Sequence, residues 1–361
     1  MSQAPIRGRG AHSNATGRFE TQVREAFDDG WEDTDSAPPP LRTTLTAERA
    51  RTIITRNDSP DIGFDRSINP YRGCEHGCIY CYARPAHAYM GLSPGLDFES
   101  KLFFKADAAR LLIRELAKPS YKVGVIHIGG NTDPYQPSER RLNVTRQVLE
   151  VLESTSHPFT IITKSALITR DADILGRMGQ RGLARVAISI TTLDRKLARA
   201  MEPRAATPER RLSAITTLSA AGAPVGVMFA PAIPGLNDHE LEAVLERSVA
   251  AGASGAGYVV LRLPREIKDL FQEWLDAQVP DRARRVMSLV RQMRGGRDYD
   301  PDWGKRMKGE GPIAELLGKR FAVAKRRLGL DRPSTPLDLS QFRRPTRAER
   351  QPDLFDTPQA S

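Results

Sequence analysis

Three thiols stand within eight positions of this chain, Cys74, Cys78 and Cys81 in the stretch GCEHGCIYCYARP (73–85), and they are the only cysteines in 361 residues. An odd set leaves one thiol over from any disulfide framework, and a chain this long folds on buried apolar area without staples. Thiolates gathered so tightly suit a bound metal, whose positive charge offsets their mutual repulsion. Two metal chemistries compete. A structural zinc needs four closed ligands and would draw the fourth from His76, His87 or a distant histidine. An iron–sulfur cube can be held by three thiolates, with one iron left open to bind something else. The setting favours the cube. SINPYRG (67–73) reads as a short strand entering a glycine turn, Tyr80 directly precedes Cys81, and three ligands on one compact loop suit one face of a cube.

Such a loop needs a scaffold. After the strand before Cys74, apolar β-branched runs recur at 123–130, 159–164, 185–191, 224–231 and 257–264, as strands buried on both faces require. Amphipathic stretches alternate with them at 106–118, 139–154, 169–182, 208–222, 238–252 and 265–278, several opening at Asp, Thr or Pro and closing at Gly. Six strand–helix repeats predict an α/β fold with a parallel sheet curled into a partial barrel, short of the eight repeats that close one. The expected division is an extended or partly disordered segment over 1–60, the barrel over 61–295, a basic helical extension over 296–332 and a flexible tail over 333–361.

The spacing C-x3-C-x2-C with an aromatic before the last cysteine resembles the radical S-adenosylmethionine (SAM) superfamily. That resemblance implies a partial (β/α)6 TIM-like barrel and a [4Fe–4S] cluster on Cys74, Cys78 and Cys81. The open iron would chelate the methionine amino and carboxylate groups of SAM. An electron from a flavodoxin or ferredoxin would then cleave SAM reductively to a 5′-deoxyadenosyl radical; the cofactor carries that chemistry and the protein positions it.

In parallel barrels the chemistry sits at the carboxyl ends of the strands. After the second strand comes GGNTDPYQPSE (129–139), where Gly129 and Gly130 admit a close backbone approach and Thr132, Asp133 and Gln136 offer donors and acceptors. The competing reading is a plain turn capped by Asp133, whereas the resemblance makes it the loop that binds the SAM amino group. Lys164, after the third strand, suits a carboxylate or ribose contact, or else is a snorkelling surface lysine. Ser189 and Thr191 on the fourth strand face ribose or local backbone. His127 reads as a core histidine. Glu202 and Arg204 either hold carboxylates of SAM or substrate or pair with each other.

Together the cysteine loop, Tyr82, NTDP, Lys164 and Ser189 resemble the spore photoproduct lyase family and its uncharacterised bacterial relatives, over roughly residues 66–265. Thr132 stands where that family has a serine that contacts SAM, and Gly130 where it has a cysteine that donates hydrogen to the substrate radical. With every thiol committed to the cluster, Tyr82 is left as the candidate catalytic relay, or packs with Tyr80 beside the cube.

No opening stretch has the regions of a signal peptide and no apolar run approaches a membrane span, so the expectation is a reduced, cytoplasmic protein without a membrane partner. A formal charge of +10, with arginine well ahead of lysine, favours nucleic acid as a partner. QPDLF, at Gln351 to Phe355, resembles the Gln-Leu-x-Leu-Phe peptide by which bacterial repair and replication proteins bind the sliding clamp, with Gln351, Leu354 and Phe355 as anchors. The rival to a radical enzyme is a non-enzymatic nucleic-acid-binding protein with a structural zinc on the Cys-rich loop. Six strand–helix repeats argue against it, because a zinc knuckle needs no barrel above it.

Overall fold

The computed structural model describes residues 6–21, 23 and 41–346. Its main sheet has seven strands: β1 (Ile54–Arg56), β2 (Arg66–Ile68), β3 (Ile126–Ile128), β4 (Phe159–Thr163), β5 (Ala184–Ser189), β6 (Val225–Ala232) and β7 (Gly255–Val260). They lie in the order β7-β6-β5-β4-β3-β2-β1, with β2 to β7 parallel and β1 antiparallel at one edge. Helices α1 (Ala108–Leu116), α2 (Val144–Ser154), α3 (Ala172–Gln180), α4 (Pro208–Ala220) and α5 (Leu241–Ala250) alternate with the strands, and α6 (Ile267–Gln278), α7 (Pro280–Gln292) and α8 (Gly311–Arg327) follow them. Residues from β2 to β7 line one cavity of about 1250 Å³, so the sheet is curled around it. The edge strands β7 and β1 do not pair, which makes the barrel partial.

Instead, the open side is spanned by the segment at 302–307. Met307 accepts the Val260 N–H at 2.9 Å, and Asp61 of the loop beside β1 takes the Gly304 N–H at 2.6 Å and pairs with Arg306.

Each barrel strand has two unlike faces, where the sequence predicts apolar burial on both. Phe159 and Ile161 of β4 and Ala184, Val186 and Ile188 of β5 point outward into the buried core. The alternate positions face the cavity, and register aligns Ser67, His127, Thr160 and Arg185 in one row across four strands, all on the cavity wall. The period-2 rule places these polar residues inside; an open interior, rather than packed layers, lets them stay there.

Other differences have local causes. The strand expected before Cys74 splits at Asn69 and Pro70. Tyr71–Arg72 pairs instead with Lys101–Phe104 in a small second sheet that also holds Thr44–Ala47. The helix expected over 139–154 breaks at Asn143, whose φ of 52° ends one helix and begins α2. Within 1–60, expected to be extended or partly disordered, residues 44–47 and 54–56 are strands and Arg9 to His12 are buried. The extension over 296–332 contains α8, whose Ala314, Leu317 and Ala324 join the main core. Residues 333–346, expected to be a flexible tail, instead run along the amino end of the barrel. There Arg343 donates its N–H to the Thr155 carbonyl at 2.8 Å, Asp338 to that of Gly182 at 3.0 Å, and Phe342 packs on Tyr121 and His157.

Candidate active site

The cysteine loop is built by backbone strain and one buried cation. Gly73 has φ +73°, and a Cβ there would lie 2.7 Å from Leu102 Cδ2 and 2.8 Å from the Phe98 carbonyl, so glycine is required before Cys74. Cys74 donates its N–H to Phe98 at 2.9 Å, and the buried Gln136 accepts the Glu75 N–H at 2.8 Å. Arg84, fully buried, donates to the carbonyls of Cys78 (2.9 Å), Gly77 (3.1 Å), Pro94 (3.1 Å) and Gly95 (2.9 Å) and pairs with Glu99 at 2.6 Å. Glu99 also accepts the N–H groups of Gly10 (2.9 Å) and Ala11 (2.8 Å), which lays the amino-terminal segment across the back of the loop. The approach there is so close that a Cβ on Gly10 would sit 1.8 Å from the Gly77 carbonyl oxygen.

On the opposite side, Cys74, Cys78 and Cys81 line the cavity at the carboxyl ends of the strands. Burial pushes all three thiols up from their ordinary pKa, aided at Cys74 by the charge of Asp133 and at Cys78 by that of Glu202. Thiols held protonated in a shared wall would give up their protons to solvent on binding a cationic group, whose charge then offsets that of the thiolates. Among the described residues no three His, Cys, Asp or Glu side chains converge on a single-ion site. Thiolates that each take a different corner of a cube need not converge on one point, as the ligands of a single zinc ion must.

Around the thiols lies a buried polar network. Tyr80 donates its hydroxyl to Glu202, which accepts Thr191 Oγ1 at 2.5 Å and pairs with Arg211. Arg204 pairs with Glu75 at 2.6 Å rather than with Glu202, so the two residues that the sequence left undecided have separate partners. Asp133 accepts Thr163 Oγ1 at 2.6 Å and the N–H groups of Tyr135 (2.9 Å) and Lys164 (2.8 Å), with His76 Nδ1 at 3.3 Å. Burial works against its ionisation, yet His76 and these donors hold the carboxyl at about 2.

Of the residues singled out by sequence, Tyr82, Gly129, Gly130, Thr132, Asp133, Lys164 and Ser189 line this cavity with the cysteines, whereas Gln136, Thr191, Glu202 and Arg204 do not. Gly129, at φ +90°, has Pro134 Cδ 2.7 Å from its would-be Cβ; Gly130 has nothing within 3.6 Å of its own. Thr132 donates its hydroxyl to the Tyr71 carbonyl at 2.9 Å, and Ser189 to that of Ala230 at 3.2 Å. The Lys164 ammonium lies 5.8 Å over the Tyr80 ring and makes no ion pair among the described residues. Tyr82 is half-exposed at the mouth, donates its hydroxyl to the Gly130 carbonyl, and carries the Arg262 guanidinium 5.0 Å over its ring. His127 does bond Thr160, at 2.9 Å, but lines the cavity and stacks on Phe64 rather than lying in the core. Arg84, Glu99 and Arg262 escaped the sequence reading; an arginine three residues past the last cysteine was the one available signal. Gln351, Leu354 and Phe355 lie outside the described residues.

A parallel partial barrel with a three-thiol loop at the carboxyl ends of its strands defines a cofactor-dependent α/β-barrel enzyme. Residues 68–247 match the model of the radical SAM superfamily, and the chain belongs to that superfamily. It is a radical SAM enzyme, in a family whose members generally use a [4Fe–4S] cluster and SAM. An uncharacterised protein of Mycobacterium tuberculosis is 35% identical over 278 residues, covering 76% of this chain and 78% of that one. Another, of Methanocaldococcus jannaschii, is 28% identical over 173 residues, covering 48% of this chain and 62% of that one. Spore photoproduct lyase complexed with dinucleoside spore photoproduct is similar in structure, with a TM-score of 0.53 at 16% identity over 79% of each chain, a likeness of fold. No helix among the described residues is long and apolar enough to cross a membrane.

Proposed function

We propose that Cys74, Cys78 and Cys81 hold a [4Fe–4S] cluster, that Gly129, Gly130, Thr132, Lys164 and Ser189 form the SAM site, and that the substrate is a nucleic acid. The observation that supports the reading most is the set of three thiols on one wall of a large cavity. When bound, the cluster and SAM supply a 5′-deoxyadenosyl radical. The chain's own part is placement. Lys164 brings an ammonium without an ion pair among the described residues for a carboxylate or ribose, and Gly130 has open space beside its backbone. Tyr82 is the candidate hydrogen relay, since its hydroxyl meets the Gly130 backbone and no thiol remains outside the three. The net charge of +10 and the structural likeness to a lyase complexed with a dinucleoside photoproduct support nucleic acid.

The test is anaerobic reconstitution. Protein reduced with dithionite, or by a flavodoxin or ferredoxin, should release 5′-deoxyadenosine and methionine from SAM, and each Cys→Ala variant should lose iron. Thr132→Ala and Lys164→Ala should weaken SAM binding more than iron retention. An intact cluster that never yields 5′-deoxyadenosine would overturn the reading. QPDLF is proposed as a sliding-clamp tether. A peptide of residues 347–361 should bind a bacterial clamp, and one with both Leu354→Ala and Phe355→Ala should not; equal binding by the two would sink the tether.

A further inference from the structure

Outside the cavity stands a second aromatic–arginine arrangement that the radical chemistry does not use. Phe19 and Tyr89 face each other with ring centroids 5.2 Å apart and tilted by 31°, yet remain 53% and 67% exposed. The Arg18 guanidinium lies 5.2 Å from one ring and 5.7 Å from the other. Arg18 is itself fixed, donating to the Pro85 carbonyl at 3.3 Å and pairing with Glu266. Those two contacts tie the group to the segments that follow the cysteine loop and Arg262: Pro85 follows Cys81 by four residues, and Glu266 follows by four the Arg262 that covers Tyr82. Beside Glu266, Arg265 is held at φ +57°, a left-handed conformation that costs an arginine energy, and its exposed guanidinium has no ion pair among the described residues.

Two rings that served only to staple one segment to another would bury most of their area against each other. These leave more than half of it open, backed by the Arg18 cation. Aromatic rings beside arginine suit single-stranded nucleic acid, because every base has a π-face and every nucleotide a phosphate. An unpaired strand also suits an enzyme that must bring a base into a barrel, since a stacked duplex keeps its bases out of reach.

We propose that Phe19, Tyr89 and Arg18 form an outer stacking platform for a base of single-stranded nucleic acid, with Arg265 on its phosphate. The inference rests on the nucleic-acid part of the proposed function but not on the cluster. Fluorescence anisotropy of a short labelled oligothymidylate with the full-length protein tests it. Phe19→Ala and Tyr89→Ala should each weaken binding by roughly 5-fold or more with an unchanged salt slope, while Tyr89→Trp keeps native affinity. Arg265→Gln should instead flatten the salt dependence. Circular dichroism and thermal midpoint identify any variant that has lost its fold. If native and doubly substituted proteins bind alike, the platform is wrong and the nucleic-acid reading stands. If the native protein binds no oligothymidylate, both fall, while 5′-deoxyadenosine release reports separately on the radical chemistry. If the double variant binds nucleic acid normally but is reduced more slowly by flavodoxin, the surface belongs to the electron donor and the platform is overturned.

Discussion

Arg84 has five N–H donors, and the fold supplies an acceptor for each: four carbonyls, two of them from the cysteine loop itself, and the carboxylate of Glu99. Both partners are fully buried, so removing one charge strands the other. Glu99→Gln should therefore cost about 3–5 kcal/mol of stability in urea unfolding of the cluster-free protein. Arg84→Lys should approach that loss, because one ammonium cannot replace a planar fork. An unchanged midpoint for either variant would show that the loop is held by something else. The adjacent glycines 129 and 130 make a sharper pair. Gly129→Ala meets Pro134 and a positive φ and should lose about 1–2 kcal/mol. Gly130→Cys has room and should unfold within about 0.5 kcal/mol of the native protein. Equal losses at the two positions would contradict the backbone geometry described.

At the scale of elements, the strands after β2 were legible because β-branched runs of six to eight residues lie between stretches with clear helix stop signals. Their inner faces were not. Thr160 and Arg185 each sit within or beside an apolar run, and only the curl of the sheet turns that side of the strand to a cavity. Likewise Cys74, Cys78 and Cys81 were legible as one local motif. The Glu99 that braces them was not, since its partners at Gly10 and Arg84 are fixed by tertiary structure alone. The run at 333–346 misled for the opposite reason: Pro and Arg without periodicity read as free chain, yet a strap needs only backbone partners and one or two anchors. Phe342 is such an anchor, seated 5.2 Å from the His157 ring and 5.8 Å from that of Tyr121. Phe342→Ala should lower stability by about 1–3 kcal/mol and admit protease at 333–346. Native resistance to cleavage in that variant would mean that Phe342 does not anchor the strap.

The whole molecule is a barrel with one seam, and Asp61 with Arg306 joins its two sides. Asp61→Ala should raise amide exchange by about an order of magnitude over 302–309 and at 57–64 while leaving β4 to β6 protected. Uniform exchange across the barrel would show that the seam is not an independent unit. A different kind of constraint arises at the back of the cysteine loop. A side chain at position 10 would strike the carbonyl of Gly77, and one at position 77 would come within 2.5 Å of Glu99 Oε2. Glu99 in turn receives the N–H of Gly10, 89 positions away. The three sites therefore cannot drift one at a time: a substitution at any of them becomes tolerable only on a background already altered at another. Across descendants of this chain, positions 10, 77 and 99 should change together or not at all, and an amino-terminal segment grafted from a relative will fit only if the loop and its glutamate travel with it.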